Sequence, residues 1–219
     1  MAFKHAPQQP SSSECARAYE VLLAAREAAG TFLDLFEAAR KSAKGVSTDA
    51  QQDLLRAMLL FASAGLDAMV KQLVRDALRK VVDKSEGSQK QFEEFIARKL
   101  RNEGQKATDF IAGVIAHKSP RDDLVQRWID ALTASSMQSF EQLATVCASF
   151  DVPTAAMGNI SALKDVFKMR NQMAHEMDIQ FGQSNRSRRQ RARRSVCDAA
   201  ETLFEAASKL LANVDQSVA

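Results

Sequence analysis

The sequence predicts an all-α fold, and three observations carry that reading. Leu and Ala are abundant, whereas the 219 residues hold only four Pro, eight Gly, one Tyr and one Trp. No window alternates apolar and polar residues as a half-buried strand would. Apolar residues recur instead at helical intervals along most of the chain. A chain of this length buries a substantial core, and residues 14–214 read as a single domain. It combines a long helical pair (14–84) with a bundle (85–214).

Residues 1–13 are expected to form a flexible tail, because Pro7, Gln8, Gln9 and Pro10 give it few groups to pack. Ser11 and Glu14 have capping-box spacing, and Tyr19, Leu22, Ala29, Leu33 and Phe36 then predict a helix to about Lys41, bent at Gly30. Thr48 and Gln51 repeat the cap. Leu55, Met58, Leu59, Ala62, Leu66, Met69, Leu73, Ala77 and Val81 continue it as a helix ending near Asp83. At 1.5 Å per residue that helix is roughly 50 Å long, which predicts an elongated or two-part molecule. Ser85–Ser88 reads as a loop, and short helices follow over Gln89–Arg101 and Thr108–His117. Pro120 suits the first turn of a helix carrying Leu124, Val125, Trp128, Ile129 and Leu132. A helix over Ser139–Phe150 is closed by Asp151-Val152-Pro153, and Gly158-Asn159 opens the next. The last helix is expected from about Arg188 to Val214.

Cys15, Cys147 and Cys197 lie far apart with no CxxC spacing, and His5, His117 and His175 are the only histidines. Neither a zinc site nor a disulfide framework is expected, and no cofactor is indicated. No signal-type segment opens the chain, and no run approaches the roughly 18 to 20 apolar residues of a membrane span. A cytoplasmic protein away from membranes is therefore expected. The net charge of +3 is small, yet Arg186, Arg188, Arg189, Arg191, Arg193 and Arg194 all fall between positions 186 and 194. One basic segment interrupts a nearly neutral chain.

The informative stretch is Arg170-Asn171-Gln172-Met173-Ala174-His175. Laid out as a helix, Ile160, Leu163, Val166, Phe167, Met173, Ala174 and Met177 form one apolar face with Arg170 at its centre. An arginine there sits at a helix end or in a polar cavity with partners, because an unpaired buried guanidinium is costly. Asn171 and His175 share a face at i, i+4. Arg170 and His175 lie about 140° apart, so one straight helix diverges them. Convergence needs a helix that ends between them or a second copy across a two-fold axis. The bland alternative is a capped helix end in which Arg170 pairs with Glu176 or Asp178.

Arg170, Asn171 and His175 resemble the R-x4-6-H signature of HEPN domains (higher eukaryotes and prokaryotes nucleotide-binding), including the polar residue after the arginine. The run from Phe140 through Asp178 is similar in layout to the RiboL-PSP branch of that family, and the resemblance weakens outside roughly 85–214. It implies a HEPN-like helical bundle acting as a metal-independent endoribonuclease, in which the ribose 2′-hydroxyl attacks the adjacent phosphate and leaves a 2′,3′-cyclic phosphate. The residue types suit that reaction. Histidine exchanges protons near neutral pH, and the arginine fork holds a phosphate and the charge building on it. Asn171 would orient the histidine or bind a phosphate oxygen. The resemblance further implies RNA as substrate, a homodimer that supplies His175 twice to a composite site, a toxin or antiphage-defence role, and regulation by an antitoxin or other partner protein. The alternative within the family is a non-catalytic module that binds RNA, a nucleotide or a partner.

Six arginines near the start of a helix oppose its dipole, which favours acidic residues there. Contact with an RNA backbone is the function expected of them. The competing reading is a solvated charge run partly neutralised by Asp198, Glu201 and Glu205. Trp128 reads as core, the scattered methionines as gap-filling core, and His117 as a helix cap.

Overall fold

The longest apolar stripe of the sequence becomes the spine of the protein. In the computed structural model, which describes residues 3–4, 6–41, 45–102, 105–182 and 187–219, this stripe is helix α2, Asp49–Lys84. It starts as its sequence predicts. The Thr48 hydroxyl accepts the Gln51 N–H at 3.3 Å, and the Gln51 carboxamide accepts the Thr48 N–H at 3.0 Å. The two bonds satisfy two amides that a helix start otherwise leaves unpaired. α2 is long and apolar enough to cross a membrane by length and composition, which the sequence reading did not foresee. Most of its apolar residues are buried against other helices, although Phe61 is exposed.

Helix α1, Ser13–Arg40, lies along α2. The two approach closely at Gly65, where a Cβ would stand 2.1 Å from the Ala25 Cβ. The closing helix, Arg193–Val218, packs Val196, Ala200, Leu203, Ala207, Leu210 and Val214 against the same pair. Between these long helices come α3 (Glu86–Asn102), α4 (Gln105–Ile115), α5 (Pro120–Thr133), α6 (Phe140–Ser149), a 3-10 turn at Thr154–Met157 and α7 (Ile160–His175), which makes the closing helix α8. α2 touches α3, α5, α6 and α7 as well as α1 and α8. The N-terminal pair is therefore the frame on which the bundle is built, and buried residues from Phe3 to Val218 form one cluster. Trp128 is core, its ring centroid 5.4 Å from Phe92 and 6.4 Å from Phe95. No strand occurs among the described residues, only an isolated antiparallel bridge between Ile179 and Arg188.

Three expectations are corrected. The segment before α1 is not a loose tail where it is described: Phe3 is buried edge-on to Phe204 at 4.9 Å, and Arg26 donates to the Phe3 carbonyl at 3.1 Å. Ser11 does not form a capping box with Glu14. The amides and hydroxyls of Ser11 and Ser12 all donate to the Asp215 carboxylate on α8. Burial pushes the Asp215 carboxyl up, but these four bonds outweigh it and hold it at about 2. Finally, α3 starts at Glu86 inside the expected loop, because Ser85 and Ser88 are used as anchors. The Ser85 hydroxyl donates to Asp151 at 2.7 Å and that of Ser88 to the Ser149 carbonyl at 2.6 Å.

Candidate active site at the end of helix α7

The start of α7 is set by Asn159, whose side-chain oxygen accepts the Ala162 N–H at 3.0 Å. Leu163, Val166, Phe167 and Met173 anchor its inner face. The helix ends at His175, and the chain then passes through two consecutive left-handed residues, Met177 (φ 50°) and Asp178 (φ 58°). Non-glycine residues rarely adopt that conformation, least of all in succession. The Asp178 N–H turns back to the Gln172 carbonyl at 2.9 Å, and the returning segment is caught by the Asp178 carbonyl, which accepts the Arg189 N–H at 2.8 Å.

Arg170, Asn171 and His175 come together within one chain. Arg170 is half-buried, and its Nη1 donates to Asn171 Oδ1 at 2.9 Å and to His175 Nε2 at 3.2 Å. A guanidinium has no acceptor atom, so the neutral imidazole supplies the Nε2 lone pair and carries its proton on Nδ1 in this arrangement. The expected divergence is thus corrected. The 140° separation describes the Cα–Cβ directions, while the long arginine side chain reaches along the last turn to a histidine that is already the terminal helical residue. Neither a helix break between the two nor a second copy is needed for them to meet. Arg170 also forms no pair with Glu176 or Asp178.

Asn171 has a different position from the one expected. Its Oδ1 takes the Arg170 bond, and its Nδ2 donates to the Gln138 carbonyl at 2.9 Å. It therefore aims the arginine and ties α7 to the segment before α6, with no hydrogen bond to His175. Arg170 retains unused donors: Nε is buried with no partner, and Nη2 donates to no described residue. The buried Nε is a cost to the fold and lies out of reach of a ligand, whereas Nη2, which is not buried, is the donor open to an oxygen-rich group. Next to Asn171 lies an open cleft of about 390 Å³ between α7 and the start of α6, lined by Gln138, Ser139, Phe140, Glu141, Lys164, Phe167, Lys168, Asn171, Gln172 and Glu176, with Arg170 and His175 outside its lining. Exposed His175 follows it one turn on.

The basic run is not the free cationic strip the sequence suggests. Arg186 lies outside the described residues. Arg188 clasps Asp53 with Nη1 at 3.1 Å and Nη2 at 2.6 Å; that bond pushes the arginine up and holds the Asp53 carboxyl below its usual range. Arg189 donates to the Ile179 carbonyl at 3.0 Å and approaches Glu176 at 3.5 Å. Arg191 meets Asp178 at 2.6 Å and 3.2 Å and the Gln172 carboxamide at 2.7 Å. Arg193 pairs with Glu37. Arg194 stays 92% exposed with only a 3.7 Å contact to Asp198. Because α8 begins at Arg193, residues 188–191 precede the helix as an extended strap, and the conflict with the helix dipole largely disappears.

The residue that organises this strap was visible in the sequence only as an alternative partner for Arg170. Asp178 is 0% exposed and also receives Arg56 Nε at 3.1 Å, from an α2 side chain only 5% exposed. Arg56 Nη2 continues to the Arg189 carbonyl at 2.8 Å, and Gln52 exchanges two bonds with the Arg191 backbone, at 2.9 Å and 3.1 Å. Two polar residues facing inward on the apolar stripe of α2, Gln52 and Arg56, were the available signal. Among the described residues no group of three or more His, Cys, Asp or Glu side chains is placed to hold a metal ion. The chain matches no family model, no curated protein and no solved structure.

Proposed function

We propose that the protein is a HEPN-like endoribonuclease whose reaction is centred on Arg170 and His175. The observation that carries this reading is the 3.2 Å contact between Arg170 Nη1 and Nε2 of the exposed His175, next to Asn171 and Gln172, which line an open cleft, with the arginine Nη2 donating to no described residue. A scissile phosphate accepting from Arg170 competes for Nη1 and frees the Nε2 lone pair for the ribose 2′-hydroxyl proton. The guanidinium then faces the charge that builds on the phosphate as the cyclic product forms. Asn171 fixes the arginine, and the Met177–Asp178 turn fixes the end of the helix. The leaving 5′-oxygen needs a proton, and His175 from a second copy in a homodimer is the donor this reading assigns. A cytoplasmic toxin or defence effector held in check by a partner protein is the setting the family resemblance suggests.

One observation favours the alternative of a non-catalytic RNA- or nucleotide-binding module: no histidine lines the cleft, and within one chain His175 is the one histidine bonded to Arg170 among the described residues. Incubating the purified protein with total RNA in EDTA separates the two readings. The wild type is expected to cut and leave 2′,3′-cyclic ends. His175→Ala and Arg170→Ala should each lose about 10²- to 10⁴-fold, the usual contribution of a proton-transfer group or a charge-stabilising donor. Intact RNA with the wild type, or equal cutting by the variants, sinks the ribonuclease reading.

A further inference from the structure

We infer that Lys164 and Lys168 form a binding track for the phosphate backbone of single-stranded RNA, leading along α7 to His175 and taking the place of the arginine run. The inference rests on the RNA-cleaving reading for the identity of the ligand, and on separate observations for the site.

The first observation is register. At 100° per residue, Lys164, Lys168, Asn171 and His175 fall within an arc of about 60° on one face of α7, and they span about 16 Å along it at 1.5 Å per residue. A chain laid along this face passes both ammonium groups before reaching the candidate catalytic pair. The second is availability. Both lysines are exposed, and neither forms an ion pair among the described residues. Lys164 lies over the Phe140 ring, its Nζ 5.3 Å from the centroid, which steadies the side chain without neutralising it. The third is the cleft itself. Lys164 and Lys168 line the same opening as Asn171 and Gln172, and the start of α6 closes its far side.

The carboxylates at this opening are already engaged. Glu176 lies 3.5 Å from Arg189. Glu141, in the first turn of α6, is held below its usual range first by its own backbone amide, then by Ser139 and last by the charge of Lys164, with which it forms no ion pair. The arginines, by contrast, are largely committed. Arg188, Arg191 and Arg193 each hold a carboxylate, and rupturing those pairs opposes any gain from a phosphate. Exposed lysines bring no such cost, and a track of point charges on backbone phosphates gives affinity that is independent of sequence and sensitive to salt.

The test measures binding apart from cutting. In a His175→Ala background, a fluorescein-labelled oligouridylate of about 12 nucleotides is titrated by anisotropy across a salt series. Each phosphate contact on a single strand contributes about 0.7 to the slope of log K against log salt, so Lys164→Gln/Lys168→Gln should flatten it by about 1.4. The affinity gap to the parent then widens about sevenfold as salt drops from about 200 to 50 mM. Lys164→Arg/Lys168→Arg should keep the parent slope. An unchanged slope in the glutamine variant overturns the track, and so does a slope that falls only with Arg194→Gln. The outcomes also separate the two proposals. If RNA is cut but the lysine pair leaves the slope alone, the track fails and the ribonuclease stands. If the slope falls but no RNA is cut, the track stands and the ribonuclease fails.

Discussion

Removing the charge of Asp178 should destabilise the whole protein and loosen the end of α7. Asp178→Asn is the informative substitution, because asparagine tolerates the left-handed backbone at φ 58° and so isolates the charge from backbone strain. In the native protein the carboxylate meets Arg56, Arg191 and, at 3.7 Å, Arg189. These partners are not equivalent. Arg189 and Arg191 are 25% and 16% exposed, and both retain other acceptors in Ile179 and Gln172, so their loss costs little. Arg56 is 5% exposed and would keep only Asp53, which is half exposed, and the Arg189 carbonyl. Breaking one member of a buried pair typically costs 3–5 kcal/mol, and these residual partners place the expectation at about 3 kcal/mol. For a chain of this size that lowers Tm by roughly 6 to 12 °C. Urea unfolding should show a lower midpoint with an unchanged m value. Arg56→Met alone should also destabilise, while the double variant should lose less than the sum, since neither charge is then left buried. A Tm within about 2 °C of wild type for Asp178→Asn, or strict additivity in the cycle, refutes the assignment of this pair as the anchor of the strap.

Two further outcomes follow from the packing. The depressed Asp215 carboxyl stabilises the fold above its unfolded value of 3.8, and this contribution is lost as pH falls through about 2. Its ceiling is about 2 kcal/mol, reduced by solvent screening. The stability gap between wild type and Asp215→Asn should therefore be present at pH 7 and close progressively below pH 4; a gap that persists at pH 2 contradicts it. Gly65→Ala would gain about 1 kcal/mol of helix propensity in an open helix, but its Cβ would meet Ala25 at 2.1 Å, and overpacking of this kind costs about 1 to 3 kcal/mol. A calorimetric Tm below wild type is expected, and a raised Tm would show that α1 and α2 do not approach as closely as described.

What the sequence determined by itself is local. Periodicity placed the helices, because a 3.6-residue apolar stripe identifies the face to be buried whatever it is buried against. Thr48 and Asn159 set helix starts through bonds to amides three residues on, and the grouping of Arg170, Asn171 and His175 was visible as spacing. Whether those three side chains meet was not, because spacing fixes Cβ directions and leaves the reach of an arginine open. The tertiary structure alone decided the rest. Arg56 and Asp178 are 122 residues apart, and Ser11 and Asp215 are 204 apart. Such pairs depend on which helices pack together, and that same packing turned most of a basic run into internal ion pairs while leaving Lys164 and Lys168 without an ion pair among the described residues. Burial decides whether a charge serves the fold or faces a ligand, and burial is a property of the assembled helices.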